Sequence, residues 1–200
     1  FGALAEGLTS ISGFLEGEDT LATLQALRDM GVVIEGPSDG RLLIHGVGLY
    51  GLKKPKKPLY LGNSGTSMRL LAGILVCQNF DVELEGDVSL SKRPMNRIAI
   101  PLRRMGAIIE TSEDGFPPIK IRSNRKLKKI AYEMPIASAQ VKSSILLASL
   151  YVDGESSVAE PAPTRDHTER MLKEFGCDVR TINSKIVIRG GTPLLGKSVE

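Results

Sequence analysis

The chain has no tryptophan, and aromatic residues make up only 4% of its 200 positions. Its core must therefore be packed from Leu, Ile, Val, Ala and Met. Cysteine is almost as scarce. Cys77 and Cys177 are the only two, and their separation fits neither a metal-ligand spacing nor a disulfide framework. Each falls in an apolar segment, where a thiol is expected to be buried, in keeping with a reducing, cytoplasmic setting. No apolar run reaches the ~20 residues that cross a bilayer, so no membrane-spanning helix is expected. No signal peptide is visible in the sequence given, which opens on Phe1 without an initiator Met. The first residues, "FGALAEGL", read as the middle of a helix, so the chain is expected to be a piece excised from something longer. A strong excess of one charge is also missing, the formal net charge being +3. The densest basic run, "KKPKK" (Lys53 to Lys57), contains a proline and has no aromatic neighbours. It is read as a solvated loop, and no nucleic-acid partner is expected.

What is present is a hydrophobic fraction of 42%, enough for a real core. It is distributed as a repeat. "LQALRDMGVVIEG" from Leu24, "LRRMGAIIETSEDG" from Leu102 and "LKEFGCDVRT" from Leu172 each run from a helix end through a glycine into a short strand. Gly31, Gly106 and Gly176 stand where a left-handed C-cap belongs. "SDG", "EDG" and "INS" then supply hairpin turns. Upstream, "FGALAEGLTSISGFL", "SMRLLAGILVCQNFDVELEG" and "SSILLASLYVDGESSVAE" each read as an apolar helix, a break and a strand. A helix apolar on every side must be buried, whereas the second helix of each unit is amphipathic. Pro101 within the middle amphipathic helix is expected in a first turn or at a kink. The fold class is α+β: one domain of three βαβαββ-type repeats, roughly residues 1–50, 51–125 and 126–200. Buried parallel helices lie at its centre and sheets outside.

Chemistry is expected where these helices begin. "LGNSGTSMRLL" (Leu61 to Leu71) puts Asn63, Ser64, Gly65, Thr66 and Ser67 at the mouth of a buried helix. Such a turn serves either as an ordinary N-cap or as a cradle for an anion, since the first N–H groups of a helix lack intrahelical partners. "ASAQVK" (Ala137 to Lys142) is its counterpart in the third unit. Lys92, Arg93 and Arg165 stand before second helices, where the helix dipole favours negative charge. An anionic ligand accounts for that placement; the alternative is a local ion pair, such as Arg165 with Asp166 or Glu169. Parallel units would gather all these groups on one face, suited to a small ligand carrying phosphate and carboxylate. His167 beside Asp166 is read as capping or orienting its turn, and His45 lies in a strand. No triad, paired carboxylates or metal cluster can be assembled.

"LGNSGTSMRLL", "SLSKRPMNRIAIPLRRMGA", "ASAQVKSSILLASL" and "EPAPTRDHTERMLKEFG" resemble, in order, motifs of the bacterial 5-enolpyruvylshikimate-3-phosphate synthase (3-phosphoshikimate 1-carboxyvinyltransferase) family. "SLSKRPM" and "TRDHTERML" resemble its second class. The resemblance runs the length of the chain. It implies an enolpyruvyl transferase-like lobe, one of two in an enzyme that joins shikimate 3-phosphate to phosphoenolpyruvate, releases phosphate and uses no metal or organic cofactor. It also implies that Gly65 and Arg93 hold phosphoenolpyruvate. Ser138, Ala139, Gln140 and Arg165 then hold shikimate 3-phosphate, with Gln140 also reaching the enolpyruvyl side, and Asn63, Thr66 and Arg69 support the turn. Ala139 departs from the Ser-Ser of other members and retains only its backbone N–H. The family's Lys-Ser-x-Ser-His-Arg-like segment would lie upstream of Phe1, and its proton-moving residues lie in the second lobe. No catalytic residue is expected within this chain, which is expected to be inactive alone. Two other readings share the pattern: a lobe of the UDP-N-acetylglucosamine enolpyruvyl transferase, which needs a reactive loop cysteine, and a generic anion-binding repeat module.

Overall fold

Three helices end in the same way, and their ends lead into three sheets. The computed structural model describes residues 1–124 and 126–200, so Arg125, at the expected close of the second unit, lies outside the described residues. Helices α1 (Glu18–Asp29), α3 (Asn96–Arg104) and α5 (His167–Glu174) are each followed by a glycine with positive φ: Gly31 at 86°, Gly106 at 98° and Gly176 at 90°. Each glycine N–H reaches back to the carbonyl three residues earlier, at 2.9 to 3.0 Å. The next residue's N–H reaches the carbonyl five residues earlier, as in Val32 to Leu27, Ala107 to Leu102 and Cys177 to Leu172. This pair of bonds satisfies the last helical carbonyls and turns the chain into a strand. It requires a left-handed residue, which glycine supplies without strain.

The second unit runs β4 (Leu59–Tyr60), α2 (Gly65–Leu75), β5 (Val82–Glu85), α3, β6 (Ile108–Glu110) and β7 (Ile119–Arg122). The third repeats it as β8 (Ala131–Glu133), α4 (Ala139–Ser149), β9 (Gly154–Ala159), α5, β10 (Val179–Ile182) and β11 (Lys185–Gly190). Their sheets have the same order, β4-β5-β7-β6 and β8-β9-β11-β10, with one parallel pair followed by antiparallel pairs. The first unit contributes β1 (Ala5–Ile11), β2 (Val33–Ser38) and β3 (Arg41–Val47) in the order β1-β3-β2. Its parallel partner comes from far along the chain. β12 (Leu194–Leu195) pairs with Ala5 and Glu6, and β13 (Ser198–Val199) pairs with Ser10 and Ile11.

The expected helix at Phe1 is not formed. Phe1 to Leu4 make a turn closed by Leu4 N–H on the Phe1 carbonyl, and Ala5–Ile11 is a strand. Ala3, Leu4 and Ala5 are buried, but against sheet neighbours, and Gly7 at φ 89° lies within the strand. The described residues thus contain two central helices, α2 and α4, rather than three. Both are buried nearly throughout. They approach so closely at Gly73 that a Cβ built there would stand 2.3 Å from the Ser144 carbonyl oxygen. Pro101 is the sixth residue of α3, beyond the first turn that was one of the two places expected for it, and is buried there.

Candidate functional site

Both central helices start on a serine. Ser64 Oγ accepts from the Ser67 N–H at 3.1 Å, and Ser138 Oγ accepts from the Val141 N–H at 3.4 Å. These caps satisfy one early donor each and aim both helix starts at the same face. The second helices begin on that face too. Ser67 Oγ lies 2.5 Å from Thr23 Oγ1 of α1 and donates to the Asp19 carbonyl. Arg69 Nη2 donates to the Pro94 carbonyl just before α3, and Ser143 Oγ lies 2.7 Å from Thr168 Oγ1 of α5. The gathering of helix starts expected from the repeat is therefore present.

One polar chain links the two central helices. Arg69 Nη1 donates to Gln140 Oε1 at 2.6 Å, and Gln140 Nε2 donates to Thr66 Oγ1 at 2.8 Å. Arg69 is buried, its Nε has no partner, and burial followed by repulsion from Arg97 and Arg93 lowers its pKa. Arg93 donates through Nη2 to Asn63 Oδ1, while Asn63 Nδ2 donates to Asp87 Oδ2 at 3.0 Å. Asp87 also accepts from the Leu90 N–H. That bond first, and the Asn63 amide with it, hold its carboxyl below the ordinary value. Gly65 sits beneath the arginines: a Cβ there would lie 3.0 Å from Arg69 Nη1 and 3.2 Å from Arg93 Nη1.

Beside this chain is a hollow of about 210 Å³, lined by Thr66, Ala139, Gln140, Arg165 and His167 among others. Gly65 stands beside both Arg69, which bonds Gln140, and Arg93, which bonds Asn63, and Ser138 is half-buried at the start of the helix that forms the wall of the hollow. Among the described residues no ion pair engages Arg69, Lys92, Arg93 or Arg165. The local pairing of Arg165 with Glu169 is not made. Glu169 turns inward instead, to Lys142 at 2.6 Å. Asp166 occupies the N-cap position of α5 without a side-chain bond, so of the two roles expected for the Asp166–His167 pair, capping and orienting the turn, side-chain capping is not made. Lys142 was not singled out from the sequence. Its signal was a lone cation inside a helix apolar all round, which requires buried partners. His45 pairs with Glu35 on an exposed sheet surface, away from these groups.

The family model described as EPSP synthase (3-phosphoshikimate 1-carboxyvinyltransferase) matches residues 1–200. The chain belongs to this family. The 3-phosphoshikimate 1-carboxyvinyltransferase of Nitrosococcus oceani is 63% identical over 199 residues, covering 100% of this chain and 45% of the relative. That of Methylococcus capsulatus is 58% identical over 199 residues, covering 100% and 46%. The solved EPSP synthase from Acinetobacter baumannii shares 62% identity and superposes with a TM-score of 0.98, over 100% of this chain and 46% of that one. The chain thus spans about half the length of the relatives it matches, and its fold is that of an enolpyruvyl transferase-like lobe.

In this EPSP synthase family chain both thiols are held neutral. Burial raises the Cys77 pKa, and burial with the nearby Asp178 carboxylate pushes Cys177 up to about 11. Thiolate chemistry at neutral pH is disfavoured at either position. Among the described residues no group of three or more His, Cys, Asp or Glu side chains could hold a metal, and no helix is long and apolar enough to cross a membrane. What the face does offer is convergent cationic and amide donors with few acceptors, an arrangement for gripping anionic oxygens.

Proposed function

We propose that this chain is the anion-anchoring lobe, built as one domain of three repeats, of a two-lobed cytoplasmic 3-phosphoshikimate 1-carboxyvinyltransferase. The enzyme would transfer the enolpyruvyl group of phosphoenolpyruvate to the 5-hydroxyl of shikimate 3-phosphate and release phosphate. The carrying observation is the bridge from Arg69 through Gln140 to Thr66, flanked by Arg93 and Arg165, neither of which is ion-paired among the described residues. In this reading Gly65 and Arg93 hold phosphoenolpyruvate, and Ser138, Ala139 and Arg165 hold shikimate 3-phosphate. Gln140 touches both, while Asn63, Thr66 and Arg69 keep the groups in place.

The reaction adds a proton to the methylene carbon of the enol and the hydroxyl oxygen to its neighbour, then removes a proton from the resulting methyl group as phosphate leaves, restoring the double bond. Guanidinium groups fixed before the reaction stabilise charge on the phosphate without reorganising, a large term in a site that excludes water. The groups that move protons belong to the second lobe, which closes over bound substrate. Isolated, this lobe would have half of the contacts and would lack the second lobe's proton-moving groups.

An amide-shift NMR titration of the isolated chain tests this, with inorganic phosphate as control and a phosphate-release assay beside it. Shifts at Ser138 to Gln140 and Arg165, specific to shikimate 3-phosphate and without turnover, are expected. Equal responses to both ligands would favour a generic anion module, and phosphate release by the chain alone would contradict the division of labour between lobes.

A further inference from the structure

We propose that Lys142 is a positioning residue whose buried ammonium clasps both ends of the loop carrying Arg165, and so sets where Arg165 stands over the hollow. The proposal rests on the reading of Arg165 as a shikimate 3-phosphate contact. Lys142 Nζ lies 3.0 Å from Glu160 Oε2 and 2.6 Å from Glu169 Oε1. Glu160 directly follows β9, and Glu169 is in the first turn of α5. The three side chains are 1%, 9% and 10% exposed, so the group is shielded from solvent. The second oxygen of Glu160 accepts from Thr164 Oγ1, and Thr164 directly precedes Arg165.

The loop has little else to hold it. Pro161 and Pro163 donate no backbone hydrogen bond. Among the described residues no backbone hydrogen bond outside the flanking strand and helix fixes residues 160–165. The α5 end has a second staple in the contact between Ser143 and Thr168, whereas beyond Ala159, the last residue of β9 held in the sheet, the Glu160 side chain is held by Lys142 and Thr164. Nor does the cluster look like a device for stability. Buried ion pairs are often no better than apolar residues of the same volume, and Glu169 Oε2 is buried without any partner. What such a pair supplies is a fixed geometry. Small displacements of a substrate-holding group are costly to its function.

The test uses the complete two-lobed enzyme, with KM for each substrate, kcat and thermal unfolding measured for E160Q, T164V, K142M, R165A and the double variant E160Q/R165A. E160Q is expected to raise KM for shikimate 3-phosphate about tenfold, with KM for phosphoenolpyruvate and kcat within about threefold, a split that a merely structural loss would not produce. T164V, which removes one hydroxyl at a half-buried site, is expected to move the same KM in the same direction by less. E160Q/R165A is expected to be no worse than R165A alone, because the clasp acts through that arginine. If R165A leaves KM for shikimate 3-phosphate unchanged, the reading of Arg165 is at fault. If R165A raises it while E160Q and T164V stay within twofold, the clasp is overturned. Equal rises in both KM values with a lowered melting temperature would also overturn it, in favour of a structural role. Should K142M fail to fold, T164V decides.

Discussion

Gly65 is a glycine for want of space rather than for its backbone. It is the first residue of α2, and its φ is not in the left-handed region, so alanine would fit the helix and favour it by propensity. The added methyl would instead meet Arg69 Nη1 at 3.0 Å and Arg93 Nη1 at 3.2 Å. These are the ends of flexible side chains, so the backbone need not move, but the guanidinium groups must. A shift of a few tenths of an ångström would strain the Arg69–Gln140 and Arg93–Asn63 bonds. Gly65→Ala is therefore expected to leave the unfolding midpoint unchanged or slightly raised while weakening phosphoenolpyruvate binding in the complete enzyme roughly tenfold, as a shifted charge-assisted contact would. KM for both substrates and a urea titration check this together. A loss of stability without a change in KM would mean that the arginines do not face the ligand.

Between elements, the decisive approach is that of α2 to α4. Here the residue in the way is backbone: the Ser144 carbonyl oxygen would lie 2.3 Å from a Cβ on Gly73, and the Ser144 Cα and carbonyl carbon 3.0 Å away. Helix propensity favours Gly73→Ala by about 1 kcal/mol, but forcing two buried helices apart costs more. A net loss of about 2 kcal/mol in urea unfolding is expected. Binding should weaken as well, since the Arg69–Gln140 bond spans the same two helices. This scale also divides what was legible in the sequence from what was not. The three C-cap glycines, the all-round apolarity of α2 and α4 and the serine caps follow from local rules, and all could be read. The segment from Phe1 could not, because its apolar residues suit helix or strand alike until its partners are known, and those are β3, β12 and β13. The inward turn of Glu169 escaped for a related reason. A carboxylate beside an arginine in sequence suggests a pair, while the stronger demand came from Lys142 on another helix.

At the scale of the whole molecule, the three sheets are alike because the far end of the chain completes the first of them. β12 stands beside β1 as β4 stands beside β5 and β8 beside β9, a match that no local pattern announces. Leu194 is fully buried in that position, and the added stretch makes a chain of backbone bonds: Gly196 N–H to the Glu6 carbonyl, Ser10 N–H to Lys197, and Ser12 N–H to Val199. Removing residues 192–200 would strip β1 of these partners and expose Ala5–Ile11 as an open edge, a template for association with other chains. The Ser10 and Ser12 amides should then lose at least about tenfold of their hydrogen-exchange protection, while amides of β5 and β9, in sheets closed by their own strands, keep theirs within a few-fold. Sedimentation should show new self-association. Unchanged protection at Ser10 and Ser12 would mean that β3 alone holds β1 in place. The first unit would then be self-sufficient, and the pairing of the two ends of the chain incidental to its stability.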